Sequence, residues 1–204
     1  TEIYHENGQL EIRRNYKDGK KHGLDENYYL SYHENGQLKD KTNYKDGKEH
    51  GFYEEYYENG QLMQKKNYKD GTQDGLSEYY YENGQLRFKW NYKDGKQDGL
   101  EESYHDNGQL HFKENYKDGR VVDGLYESYH ENGQLMRKEN YKDGEKDGLS
   151  ETYYEEDGQL KSKGNYKDGK NHGLWETYYP NGRVWKKECW VKEGFTRDHN
   201  HCEK

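Results

Sequence analysis

Apolar and polar residues alternate along short runs of this chain, and the runs themselves recur. Residues 86–92 place Leu86, Phe88, Trp90 and Tyr92 at every second position, with Arg87, Lys89 and Asn91 between them. A period of two is the signature of a half-buried strand. A shorter Tyr-rich run, residues 76–81, precedes it, and Glu82, Asn83 and Gly84 lie between the two. Asn-Gly between alternating runs predicts a β-hairpin with a two-residue type I′ turn, because both residues tolerate a positive φ. Residues 93–99, with Gly95 and Gly99, read as a second turn leading into the next hairpin. A helix is excluded by glycines this frequent.

The same pattern fills the chain. The glycine after Asn83 has counterparts at Gly8, Gly36, Gly60, Gly108, Gly133, Gly158 and Gly182. A second series runs through Gly19, Gly47, Gly71, Gly95, Gly119, Gly144 and Gly169, and a third from Gly23 to Gly173. The common spacing of 24 residues gives about eight hairpin units over residues 1–194. Four extra residues fall near 27–30, and single insertions fall near Val122, Glu156 and Val191. The expected fold is all-β: tandem hairpins in an elongated, single-layer antiparallel meander. Residues 195–204 are read as a disordered C-terminal tail.

Counting outward from a two-residue turn at Asn83 and Gly84 sets Tyr81 opposite Leu86, Tyr80 opposite Arg87 and Glu78 opposite Lys89. It likewise sets Glu54 opposite Lys65, Glu102 opposite Lys113, Glu127 opposite Lys138 and Glu176 opposite Lys187. Opposite charges meeting in five units support that register. On this count Leu86, Phe88, Trp90 and Tyr92 share one face, and Tyr80 lies on the other with Glu78 and Lys89. With few aliphatic residues to form a second layer, stability is expected from stacking between neighbouring units.

Composition narrows the function. Of 204 residues, 27% are hydrophobic and 36% charged, and 24 are Tyr. Such a composition is usually disordered, and the strict repeat overrides that reading. The net charge of −8 has its signs interspersed, so no basic stripe marks a nucleic-acid binder. The acidic balance also disfavours anionic membrane surfaces.

The recurring Asn-Tyr-Lys-Asp-Gly-Lys-x-x-Gly-Leu-x-Glu-x-Tyr-Tyr-x-Asn-Gly-Gln-Leu resembles the MORN repeat, in particular the bacterial variant with Asn-Gly-Gln-Leu after the aromatic strand. The resemblance spans residues 1–194. It departs from the eukaryotic form by using Tyr at Tyr92-type positions where that form often has Trp, which weakens the phospholipid-binding inference. It implies a single-layer sheet used for protein contacts. Many bacterial members look like antitoxin or immunity proteins, and others like surface or host-interaction proteins.

The candidate chemical groups have simpler readings. His5, His33, His105 and His130 share a position held elsewhere by Tyr57, Tyr81 and Tyr179. His22, His50 and His172 share one held elsewhere by Asp74, Asp98 and Asp147. Histidines exchanged so freely suit surface slots better than a metal or catalytic site. The Asp-Gly-x-x-Asp-Gly turns place Lys inside the loop, which suits a turn better than calcium. Cys189, His199, His201 and Cys202 match no zinc spacing, and a disulfide between the cysteines is the alternative to a free tail. No unit carries a catalytic constellation, so no enzyme, cofactor or metal is expected.

Tyr beside Glu and Lys has the composition of a contact surface. The expected partner-binding residues are therefore Tyr32, Tyr56, Tyr80, Tyr104, Tyr129, Tyr153 and Tyr178. The functional expectation is a monomeric, protein-binding scaffold, most specifically an antitoxin for a basic toxin domain. The alternatives are a cell-surface adhesin or carbohydrate-binding ribbon, disfavoured by the irregular Trp90, Trp175, Trp185 and Trp190, and peripheral membrane association. An immunity role places the chain in the cytoplasm, and a leader before Thr1 would place it at the surface or outside the cell.

Overall fold

The structure, a computed structural model, describes residues 1–22, 29–191 and 194–196. Among these every regular element is a strand. The chain divides into two units, Thr1–Gly108 and Gln109–Lys204. In the first, Leu38–Lys45, Lys48–Tyr56, Leu62–Lys69, Thr72–Tyr80 and Leu86–Lys93 pair antiparallel in chain order. In the second the same holds for Gly124–Tyr129, Leu135–Lys142, Glu145–Tyr153, Leu160–Lys167, Lys170–Tyr178 and Val184–Val191. The tandem-hairpin meander read from the repeat is the fold of each unit. Gly194–Thr196 adds to Val184–Val191, so Phe195 and Thr196 belong to the sheet. The expected disorder of the remaining tail lies outside the described residues, as does most of the insertion before Tyr29.

The type I′ geometry expected at the Asn-Gly turn is found at the Asp-Gly turn instead. At Asn83 and Gly84, the Gly84 N–H donates to Tyr81 O and the Tyr81 N–H to Gln85 O, both at 2.8 Å. Gly84 alone has a positive φ, of 83°. This is a three-residue loop ending in a left-handed glycine, with a bulge beyond it. Asn83 instead uses its side chain, accepting the Gln85 N–H at 2.9 Å and donating to Asp106 O at 2.9 Å. The type I′ turn belongs to Asp-Gly: Asp94 at φ 49° and Gly95 at φ 78° sit between the paired Lys93 and Lys96. Asp takes a left-handed φ of 48–52° in seven copies of this turn. A short polar side chain tolerates that region, and two such residues match the twist of the strands they join.

The extra turn residue corrects the face assignment. Lys89 opposes Glu78 as predicted, and so do Glu54 and Lys65, Glu127 and Lys138, and Glu176 and Lys187. Nearer the turn the register slips by one, so Tyr80 opposes Leu86 instead of Arg87. Residues directly opposite share a face, and a one-residue slip inverts the alternation. Leu86 therefore joins Tyr80, Glu78 and Lys89, whereas Phe88, Trp90 and Tyr92 oppose Tyr79, Ser77 and Gly75 on the other face. The same slip recurs at Leu38, Leu62, Leu135, Leu160 and Val184.

The third glycine series marks a second bulge. Between Leu62–Lys69 and Thr72–Tyr80 the register jumps from Lys66 opposite Ser77 to Tyr68 opposite Gln73. Gly75, at φ 103°, takes up the extra length. The Asn67 amide crosses the gap and donates to Asp74 O at 2.6 Å. A Cβ on Gly75 would meet that amide at 3.0 Å, so the recurring Asn and Gly form one device.

Candidate interaction surface

The predicted tyrosines form a regular column on the face that also carries the Glu and Lys columns. There each Glu sits between two lysines. Glu54 meets Lys41 at 2.8 Å and Lys65 at 3.2 Å, and Glu176 meets Lys163 at 3.1 Å and Lys187 at 2.8 Å. The hydroxyls of Tyr56, Tyr129, Tyr153 and Tyr178 donate to the Glu two residues earlier, at 2.8–3.1 Å. The hydrogen bond from Lys187 and that from Tyr178 hold Glu176 down to about 2. Burial and the neighbouring carboxylate push Tyr56, Tyr80 and Tyr153 up to about 12, so these hydroxyls stay protonated and donate. Tyr104 is also raised, first by burial and then by Glu102. Tyr32 holds the same column and opposes Leu38. From Tyr56 to Tyr178 each Tyr is thus part of a recurring Tyr, Glu and Lys ladder, whereas beside Tyr32 the Glu position is held by Leu30.

The histidines have a structural part as well. Tyr57 and Tyr81 donate their hydroxyls to the carbonyls of Tyr80 and Tyr104, at 2.8 and 2.9 Å. At the same position His5 and His33 direct Nε2 at the carbonyls of Tyr32 and Tyr56, at 3.0 and 2.9 Å. A carbonyl only accepts, so Nε2 carries the proton. His and Tyr interchange because either bridges one repeat to the next. In the other series Asp74 and Asp123 accept the N–H groups of Asp94 and Asp143, at 3.3 and 2.6 Å, and His50 Nδ1 lies 3.4 Å from the Asp70 N–H. These side chains cap the Asp-Gly turn of the following repeat. Cys189 is fully buried and disulfide-bonded, and Cys202 lies outside the described residues, as do His199 and His201.

The opposite face changes from repeat to repeat. In the first unit one column holds Tyr53, Ser77 and Glu101, and a second Glu55, Tyr79 and Ser103. A third holds Asp40, Gln64 and Phe88, and a fourth Thr42, Lys66 and Trp90. In the second unit the same columns include Tyr126, Ser150 and Trp175, and Phe112, Arg137 and Ser162. Among the described residues all the buried polar ones, Thr42, Ser77, Ser103, Ser128, Glu139 and Ser150, lie on this face, where large neighbours cover small ones. Phe52, Leu76, Leu100, Leu125 and Leu149, each 37–48% exposed, lie on the constant face. Within the first unit Tyr79 stacks on Trp90 at 5.1 Å, and Phe88 meets Trp90 edge-on at 5.7 Å. The cluster borders an open hollow of about 420 Å³ lined also by Tyr57, Met63 and Arg87. In the second unit Trp175 lies across Gly164 and donates Nε1 to Asn165 O at 3.1 Å. Glu139, 3% exposed, is held by Lys146 at 2.8 Å. Sequence reading set Phe88, Trp90 and Tyr92 on this face, but it added Leu86 in error and took the face for stacking alone. Comparing the repeats column by column marks the varying positions directly.

The MORN repeat variant family matches eight segments: residues 1–18, 25–46, 49–70, 73–94, 97–118, 122–143, 146–168 and 171–192. The chain belongs to the MORN repeat variant family. Each matched segment that lies wholly within the described residues holds the aromatic strand, an Asn-Gly or Asp-Gly loop and the alternating strand of a MORN hairpin, the loop having three residues except at 155–158, where it has four. Curated proteins provide no match to the chain. As a MORN array it is a repeat scaffold, and the features that recur most regularly are those that join one MORN unit to the next.

Proposed function

We propose that this MORN array is a non-enzymatic scaffold that binds a protein partner, and that it acts as an antitoxin by covering a basic toxin domain. One observation carries the reading: the division of labour between the two faces. The Lys and Glu ladder and its tyrosines occupy columns that vary little, with Arg13 and Leu30 the departures, and the bridges between repeats use only His or Tyr. The columns on the opposite face vary, with Tyr79, Phe88 and Trp90 clustered in one unit and Tyr53 and Glu55 two strands away. Repeat proteins that recognise partners separate framework from contact positions in this way. The net charge of −8 favours a cationic partner and speeds its encounter.

Co-purification of the chain from its native source, with quantitative mass spectrometry, tests the scaffold reading. A single basic protein recovered in fixed stoichiometry is the expected result. Growth rescue on co-expression with that protein tests the antitoxin role. A partner that is harmless when produced alone would remove the antitoxin role and leave the scaffold.

A further inference from the structure

One row of side chains crosses the variable face of the first unit. Strand by strand it reads Ser31, Asp40, Glu55, Gln64, Tyr79 and Phe88, each directly opposite the next. Asp40 and Glu55 are therefore two carboxylates face to face, an arrangement that costs stability unless a cation joins it. Both are half-buried. Their polar contacts are the Ser31 hydroxyl for Asp40, and the Tyr53 hydroxyl (3.0 Å) and Gln64 amide for Glu55. Among the described residues neither forms an ion pair. Burial, then Glu55 and Asp40, push the Tyr53 hydroxyl well above the usual tyrosine range. Gln64 Oε1, next in the row, is buried without a hydrogen bond, as is Trp90 Nε1 beside Tyr79.

The far end of the row has the opposite character. Tyr79, Phe88 and Trp90 form the aromatic cluster, and two cations already lie on its rings. Lys66 Nζ is 5.2 Å from the Tyr79 ring centre, and the Arg87 guanidinium is 5.1 Å from that of Phe88. A second cation is repelled there and attracted to Asp40 and Glu55, which gives the row a direction.

We infer that this row is the docking track for an extended segment of a basic protein, with an Arg or Lys over Asp40 and Glu55 and an apolar or aromatic side chain over Tyr79 and Phe88. The spacing sets the motif. The centres of the two pairs are three strand steps apart, about 14 Å at ~4.8 Å per strand. An extended chain covers that in about four residues, and positions i and i+4 of a strand point the same way. The inference rests on the protein-binding reading and names the site and the partner's chemistry.

Selection of a displayed library of random twelve-residue peptides on the intact chain tests it. The expected outcome is enrichment of a basic residue four positions from an aromatic or large aliphatic one. Binding of a selected peptide should fall at least about tenfold with Asp40→Asn plus Glu55→Gln, and weaken with added salt. It should fall comparably with Tyr79→Ser plus Phe88→Ser, two changes that install residues found in the same columns at Ser103 and Ser162. Tyr104→Phe, on the other face and away from the hollow, should leave it unchanged, and circular dichroism on every variant separates lost binding from lost fold. Peptides that bind but are insensitive to both double changes overturn the track and leave the scaffold reading standing. A library that yields no binder also overturns the track, while the co-purification experiment decides the scaffold independently.

Discussion

The hydroxyl of Tyr81 donates to the main-chain carbonyl of Tyr104 at 2.9 Å, joining two residues 23 apart in sequence. His33 makes the equivalent bond to Tyr56 through Nε2 at 2.9 Å. Two chemically different side chains thus perform one task. Tyr81→Phe should lower stability by about 1 kcal/mol, the net worth of a hydrogen bond whose acceptor is left behind. Tyr81→His should cost less than Tyr81→Phe, because a histidine already makes this bond in other repeats. Urea denaturation of the two variants makes the comparison. Equal losses would mean that ring packing rather than the hydrogen bond joins the repeats.

Glu176 titrates near 2, against an ordinary 4.5, because Lys187, Tyr178 and Lys163 bond its carboxylate. A folded-state value below the unfolded one means the stabilisation is complete above about 4.5 and is lost as pH falls towards about 2. Stability should therefore decline over that window, and Glu176→Gln should flatten part of the decline while lowering stability at neutral pH. Denaturation midpoints at several pH values give the slope. A variant as acid-sensitive as the parent would show that Glu176 does not contribute.

Gly84 is constrained twice. Its φ of 83° disfavours any side chain, and a Cβ there would collide with Gln61 Oε1 of the preceding repeat. Gly84→Ala should cost the roughly 1 kcal/mol typical of the left-handed region, plus only a small excess as the flexible end of Gln61 swings aside. Adding Gln61→Ala should recover the excess but leave the φ penalty. A double-mutant cycle measures the coupling, and simple additivity would remove the contact from the account.

Gly164 and Trp175 illustrate how the variable face is packed. The indole occupies the space where a Cβ on Gly164 would stand. Gly164→Ala should destabilise by about 1–3 kcal/mol through overpacking. Trp175→Ser, the residue found in that column at Ser150, should make Gly164→Ala tolerable. Melting temperatures of the two single variants and the double variant decide it. If Gly164→Ala costs the same with Ser at 175, the indole is not what limits the site.

The sequence by itself determined the repeat and the strand character of each run. It also determined the pairing of Glu78 with Lys89, since a 24-residue period and complementary charges are one-dimensional signals. Family membership rested on the same signal. What only the tertiary structure decided is which residues share a face. Parity carries from one strand to the next only as far as the turn length is known, and one residue more inverts it. Asn83 and Gly84 looked like a type I′ turn, yet Asn83 spends its side chain on Asp106 of the next repeat and leaves the left-handed conformation to Gly84 alone. That bond to a neighbouring copy cannot be read from a single hairpin. It moved Leu86 to the Tyr80 face and left Phe88, Trp90 and Tyr92 on the other. Across the Asp-Gly connection, where a second bulge shifts the register, only the structure sets Asp40 opposite Glu55 and Gln64 opposite Tyr79, and so lines up Asp40, Glu55, Tyr79 and Phe88 from four strands and three repeats.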